Sequence, residues 1–186
     1  LVSRLLASEA RVSGSRIRTG QLREDDWSHL TKAVESVSNA PIFIDDAAAQ
    51  TVGQIRAKCR RIRGLGLVVV DYLQLMRGGG SERNREQEIA SISRGLKALA
   101  KEMNIPVIAL SQLNRDVEKR ADKRPVMADL RESGAIEQDA DVIMFLYREE
   151  VYSPNIENRG VAEVLVRKHR NGATGDVKML WRAVCN

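Results

Sequence analysis

The 186 residues predict an α/β protein, a mostly parallel sheet flanked by helices with an antiparallel hairpin added at the C-terminal end. Three observations carry this. Amphipathic helical stretches alternate with short apolar runs along most of the chain. The runs Leu67–Val70 and Val107–Leu110 are wholly apolar, as expected of strands buried inside a parallel sheet. The chain then closes on two strand-like segments joined by a glycine-containing turn.

Taken in order, Val2, Leu5, Leu6 and Val12 suit one face of an opening helix. Asp25 or Asp26 is placed to cap a second helix carrying Trp27, Leu30, Val34 and Val37 on one side. Pro41-Ile-Phe-Ile44 reads as a short buried strand ending at Asp45 and Asp46. Thr51 caps the next helix, with Val52, Ile55, Cys59 and Ile62 inward and Arg56, Lys58, Arg60, Arg61 and Arg63 on the remaining faces. After the strand Leu67–Val70 comes a Gly78-Gly-Gly-Ser81 loop, then a long helix with Ile89, Ile92, Leu96, Leu99 and Met103 at spacings of three and four. Pro106 opens the strand Val107–Leu110, and 113–132 is a long polar stretch of the kind that is usually functional when ordered. Asp141–Tyr147, Val161–Lys168 and Asp176–Trp181 read as three further strands, the last two turning around Gly172 and Gly175. One domain over residues 1–186 is expected.

Composition narrows the partner class only gently. Thirty Lys and Arg against 25 Asp and Glu give a net charge of +5, so a polyanionic partner must be argued from where the charge sits. The two cysteines, Cys59 and Cys185, match no metal-ligand spacing and suit a reducing compartment. The best apolar run is closed by Asp71, so no membrane span is expected and a cytoplasmic location is the natural reading. The chain opens on Leu1, without an initiator methionine, and is expected to be a piece of something longer.

Ligands of open parallel sheets gather at the carboxyl ends of the strands. Asp71 ends one strand there, Ser111 and Gln112 another, and Asp45 and Asp46 a third. Four apolar residues followed by Asp form the Walker B pattern, whose carboxylate holds Mg²⁺ on a nucleotide; the same pattern also serves turns and helix caps. Gln112 reads either as a satisfied amide at a strand end or as a sensor of a γ-phosphate. Lys168 and Arg170, two apart on an extended strand, point to one face and suit an anion between them, unless the basic hairpin only protects a sheet edge. Residues 113–131 carry Arg115, Lys119, Arg120, Lys123, Arg124 and Arg131 beside four acidic residues and no aromatics. Arg77, Arg83 and Arg85 flank the glycine loop in the same way. Such segments are either solvated mixed-charge loops or contacts to a nucleic-acid backbone that ignore base sequence. No glycine is followed by lysine, so the chain holds no G-x-x-x-x-G-K-[ST] phosphate loop.

Several stretches together resemble the DnaB-type replicative DNA helicases. They include Ser15-Arg-Ile-Arg-Thr-Gly-Gln-Leu22, Val70-Asp-Tyr-Leu-Gln-Leu-Met76, Ser93 to Glu102, Ala109-Leu-Ser-Gln-Leu-Asn-Arg115, Arg120-Ala-Asp-Lys-Arg-Pro125, Lys168-His-Arg-Asn-Gly172 and, most specifically, the segment from Asp129 through Leu-Arg-Glu-Ser-Gly to Asp141. The resemblance spans almost the whole chain. It implies a RecA-like ATPase domain using ATP and Mg²⁺, in a homohexameric ring that translocates 5′ to 3′ on single-stranded DNA and unwinds duplex at the replication fork. It implies Asp71 for Mg²⁺, Gln112 for the γ-phosphate, and Lys168 and Arg170 as a basic finger reaching a neighbouring subunit's ATP. Arg131, Glu132 and Gly134 would line the channel that holds single-stranded DNA, and primase and a helicase loader are the expected partners. The family's phosphate loop and catalytic glutamate are expected upstream of Leu1, so the 186 residues alone are expected not to hydrolyse ATP. A RecA-type recombinase core, or a non-enzymatic module binding DNA or a loader, are the alternative readings.

Overall fold

The computed structural model describes residues 1–80, 84–130, 134–153 and 159–183. Two compact units form: one from Leu1–Asp45, Arg148–Ala162 and Lys178–Asn186, the other from Asp46–Tyr147 and Glu163–Val177.

In the first unit, α1 (Val2–Ala10), α2 (Gly14–Thr19) and α3 (Glu24–Asn39) pack around a small core of Ala10, Val12 and Ala33, with Leu6, Ile17, Leu22 and Leu30 partly buried against it. Asp26 lies in the first turn of α3, where its carboxylate accepts the backbone N–H of Arg23 at 2.9 Å and pairs with Arg16 at 2.6 Å. The inward stripe of α3 is Asp26, Leu30, Ala33 and Val37. Trp27 and Val34, expected inward, are exposed at 61% and 46%. Leu30 and Val37 are common to both stripes, but the small Ala33 lets α1 approach closely and takes the position the larger residues were assigned. Residues 41–44 form no strand, and Ile42, Phe43 and Ile44 are all exposed. Apolar, β-branched sequence becomes a strand only where a neighbour supplies ladder hydrogen bonds; none does so here among the described residues.

The second unit holds α4 (Val52–Cys59), β1 (Val68–Val70), α5 (Arg85–Met103), β2 (Val107–Ala109), α6 (Gly134–Asp139) and β3 (Val142–Tyr147), together with most of β4 (Val161–His169) and the start of β5 (Gly175–Leu180). Thr51 caps α4 as expected: its Oγ1 accepts from the Gln54 amide at 3.3 Å while the Gln54 side chain accepts from the Thr51 amide at 2.9 Å. Alternating 3- and 4-residue spacing puts Ile89, Ile92, Leu96 and Leu99 of α5 into the core with Val70, Leu73, Leu130, Phe145 and Leu165. Gly95 lets α4 come close, since a Cβ there would stand 3.0 Å from a Val52 methyl. Asn104, at φ 53°, ends the helix in the left-handed conformation that asparagine tolerates.

β1 and β2 are parallel, with Val70 opposite Ala109. β3, β4 and β5 make a separately hydrogen-bonded three-stranded sheet in that order, β3 and β4 antiparallel. The full burial expected of β1 is not seen: Leu67 and Val69 are 44% and 56% exposed. β3 shows the same division residue by residue, with Ile143, Phe145 and Tyr147 buried and Val142, Met144 and Leu146 exposed. Apolar side chains on both sides of these strands suit two-sided burial, yet only the α5 side is covered among the described residues. No described helix is long and apolar enough to cross a membrane.

Candidate nucleotide and nucleic-acid site

Because β1 and β2 run in register, their carboxyl ends finish side by side. Asp71 follows β1 directly, is exposed, and is joined to Tyr72 by a cis peptide bond. Gln112 lies three residues beyond β2, also exposed. Backbone bonds tie the two strand ends, Leu110 N–H to Val70 O and Leu73 N–H to Leu110 O, both 2.9 Å. Gln74 then stitches them by side chain: its Nε2 donates to Ser111 Oγ at 3.0 Å, and its Oε1 accepts the Gln112 amide at 3.2 Å. The fold thus brings Asp71 and Gln112 to one edge. Gln74, which sequence reasoning passed over, is the side chain that spans the two strand ends; its place in the Tyr-Leu-Gln-Leu run was the only available signal.

Asp71 is the residue here that would hold Mg²⁺. It has no protein partner among the described residues, and no described cluster of three or more His, Cys, Asp or Glu could form an all-protein cage. That arrangement fits the ion, which binds through one or two carboxylates and leaves the rest of its octahedron to water and phosphate oxygens.

The segment after Asp71 is fixed from α5. Arg85 donates to Gln74 O at 2.8 Å and to Met76 O, and pairs with Glu88. Glu88 accepts the Gly78 amide at 2.7 Å. The Gly78 amide, then Arg85, hold the Glu88 carboxyl below its ordinary pKa. Arg85, counted by sequence among the basic residues around the glycine loop, is therefore structural; Arg83 lies outside the described residues.

Lys168 and Arg170 do share a face. Lys168 Nζ donates to Glu137 O and Gln138 O, and Arg170 Nη2 donates to Gln138 O at 3.2 Å, so both reach the C-terminal carbonyls of α6. Arg170 also pairs with Asp141 at 3.3 Å, and Lys97 pairs with the other oxygen of that carboxylate. Lys97, followed by Arg170 and Lys168, holds the Asp141 carboxyl below its ordinary pKa. In the turn beyond, a Cβ at Gly172 would come within 2.7 Å of the exposed His169 ring, which would have to turn aside.

The polar stretch after Gln112 contains two 3₁₀ turns, Arg115–Lys119 and Met127–Asp129, and Leu113 bridges to Leu130 across its base. Asp129, 6% exposed, accepts two bonds from Arg120 at 3.1 and 2.7 Å and one from the Val126 amide at 2.8 Å. Arg124 grips Glu163, itself 8% exposed, at 2.9 and 2.6 Å, and stacks 5.0 Å from the Tyr147 ring centroid. Lys119 pairs with Asp116 at 2.7 Å. Three of the cations assigned to a polyanion are thus paired with carboxylates: Arg120 within the loop, Arg124 with β4, and Lys119 at the exposed surface. Arg131 and Glu132 lie outside the described residues; Gly134, the third of that set, is the exposed first residue of α6. Sequence reading missed α6 because six residues with one inward apolar side chain, Ile136, leave no periodicity to detect.

The family profile of the DnaB-like helicase C-terminal domain matches residues 1–186. The chain is 53% identical over 185 residues to the replicative DNA helicase DnaB of Geobacillus stearothermophilus, covering 97% of this chain and 41% of that protein. It is 51% identical, with the same coverage, to the replicative DNA helicase DnaC of Bacillus subtilis. A solved DnaB-like replicative helicase, described with its interactions with primase, superposes with TM-score 0.94 at 39% identity, covering 99% of this chain and 46% of that one. A solved ATPase domain gives TM-score 0.92 at 40% identity, with coverage of 98% and 66%. The chain thus spans about two-fifths of the length of these curated relatives, and its α/β architecture is that of RecA-like helicase ATPase domains. From Asp71 and Gln112 at one strand edge to the basic hairpin at the other end of the sequence, this chain belongs to the DnaB-like helicase C-terminal domain family.

Proposed function

We propose that the protein containing this chain is a replicative DNA helicase, an ATP-driven hexameric motor that moves 5′ to 3′ along single-stranded DNA in the cytoplasm and unwinds duplex, with residues 1–186 as part of its motor domain. The observation that carries this is the placing of Asp71 and Gln112 at the adjacent carboxyl ends of β1 and β2, with Gln74 bonded across to Ser111 and Gln112, in a chain of this family. In this reading Asp71 would hold Mg²⁺, which when bound supplies positive charge to the phosphates of ATP, and Gln112 would contact the γ-phosphate. Lys168 and Arg170 act on the ATP of the adjacent subunit. Arg131, Glu132 and Gly134 hold the DNA backbone. Primase and a loader are proposed partners, the former because a structural neighbour is described with it. Since no G-x-x-x-x-G-K-[ST] occurs in these residues, the isolated chain is proposed to bind partners without turning ATP over.

The test is complementation between two inactive forms of the whole protein, Asp71→Asn and Arg170→Ala. Mixed rings place an intact Asp71 against an intact Arg170 of the next subunit, and ATPase activity returns although neither form works alone. Mixed hexamers that form and stay inactive refute the action in trans. A finger of this kind contributes on the order of 10³–10⁵ in kcat, because the charge it neutralises develops only in the transition state.

A further inference from the structure

We propose that Asp141, with the C-terminal carbonyls of α6, is a docking point that keeps Lys168 and Arg170 engaged within their own subunit until contact with DNA at the other end of α6 releases them. The inference rests on the assignment of Arg170 as a finger and of Gly134 as a DNA contact made above.

The geometry is specific. Arg170 directs Nη1 to Asp141 and Nη2 to Gln138 O, and its own amide donates to Asp141 O at 2.8 Å. Lys168 occupies Glu137 O and Gln138 O. Redirecting Arg170 Nη1 and Nη2 and Lys168 Nζ to a phosphate of a neighbouring subunit requires these bonds to break, so the docked finger is held towards its own subunit. The dock suits cations for two reasons: the last carbonyls of a helix lack intrahelical partners, and they carry the negative end of its dipole. Asp141 adds a full negative charge, and Lys97 of α5 fixes that carboxylate through its second oxygen, leaving the first for Arg170.

The same helix begins at Gly134, and four residues of α-helix separate it from Gln138 by about 6 Å along the axis. A short helix packed on α5 moves as one piece, so displacing its first turn displaces the carbonyls at its end. Asp139, its last residue, keeps Oδ2 buried without a hydrogen-bond partner among the described residues, a cost that a small shift of α6 can relieve. Sites linked in this way are coupled reciprocally: DNA loosens the docked finger, and nucleotide that draws the finger out favours the DNA-bound placement of α6.

The experiment uses the full-length hexamer with Asp141→Asn and Lys97→Met, neither of which is placed in the catalytic or DNA-binding machinery. Steady-state ATPase is measured with and without saturating oligo(dT). Affinity for labelled oligo(dT) is measured by anisotropy with and without a non-hydrolysable ATP analogue. Loss of the tether raises the DNA-free ATPase of Asp141→Asn roughly three- to ten-fold while the DNA-stimulated rate stays within about two-fold. The factor by which the analogue tightens oligo(dT) binding falls by a similar amount, and Lys97→Met acts in the same direction. A merely structural role would lower both rates together. That result, or both variants retaining the wild-type DNA-free rate and coupling factor, overturns the proposal. Arg170→Ala run in parallel separates the two levels: if it keeps full ATPase the finger assignment itself has failed, whereas if it abolishes ATPase and Asp141→Asn behaves as wild type only the docking has.

Discussion

Replacing Asp129 by alanine tests whether residues 113–130 are ordered by internal ion pairs rather than by a bound polyanion. The carboxylate accepts three hydrogen bonds, two from Arg120 at 3.1 and 2.7 Å and one from the Val126 amide at 2.8 Å, and its side chain is 8% exposed. Removing one partner of a fully buried pair costs about 3–5 kcal/mol. The Arg120 side chain is 38% exposed and can turn to water once released, which brings the expectation to about 2–3 kcal/mol. At about 1.4 kcal/mol per factor of ten, the open loop becomes roughly 30- to 150-fold more populated. Lys119 and Lys123 lie in that loop, so native-state tryptic cleavage between 115 and 124 reads the opening directly. Asp129→Asn, which keeps the shape and one acceptor oxygen, should show a smaller increase. In a double-mutant cycle Arg120→Ala and Asp129→Ala should be coupled by at least about 1 kcal/mol. Cleavage accelerated less than about three-fold in Asp129→Ala would refute the argument, since the loop would then be held by something other than this pair.

Other consequences follow from contacts in the same unit. Gly95→Ala places a Cβ 3.0 Å from a Val52 methyl, so it should destabilise by about 1 kcal/mol despite alanine's helix preference, and Val52→Ala should abolish that cost in urea denaturation. Gly172→Ala, whose Cβ meets only the exposed His169 ring, should cost less than about 1 kcal/mol in urea denaturation, and His169→Ala should remove that cost. Because the Glu88 carboxyl is held below its ordinary pKa, its contribution to stability is complete above the usual glutamate value near pH 4.3 and is lost as pH falls through the lower folded value. Glu88→Gln should remove that acid-side dependence, followed by the Gly78 amide in NMR; an unchanged titration would rule out the Glu88–Gly78 contact.

What the sequence alone determined was the elements with the strongest local pattern. The spacing of Ile89, Ile92, Leu96 and Leu99 defined α5 and its inward face, Thr51 with Gln54 defined the start of α4, and apolar runs ending at Asp71 and Ser111 located the strand ends, because helix period, cap chemistry and strand polarity are properties of neighbours along the chain. Lys168 and Arg170 were legible as a same-face pair for the same reason. The tertiary structure decided which partners those residues meet. Ile42–Ile44 has the composition of a strand but no ladder, and α3 turned Ala33 inward where Trp27 and Val34 were expected. Arg85, Arg120 and Arg124 look in sequence like cations awaiting a phosphate, yet each finds a carboxylate three to 39 residues away. Net charge and spacing cannot separate a cation that binds a ligand from one that orders a loop; that depends on which acid the fold delivers within hydrogen-bond reach, and on whether the pair is shielded from water.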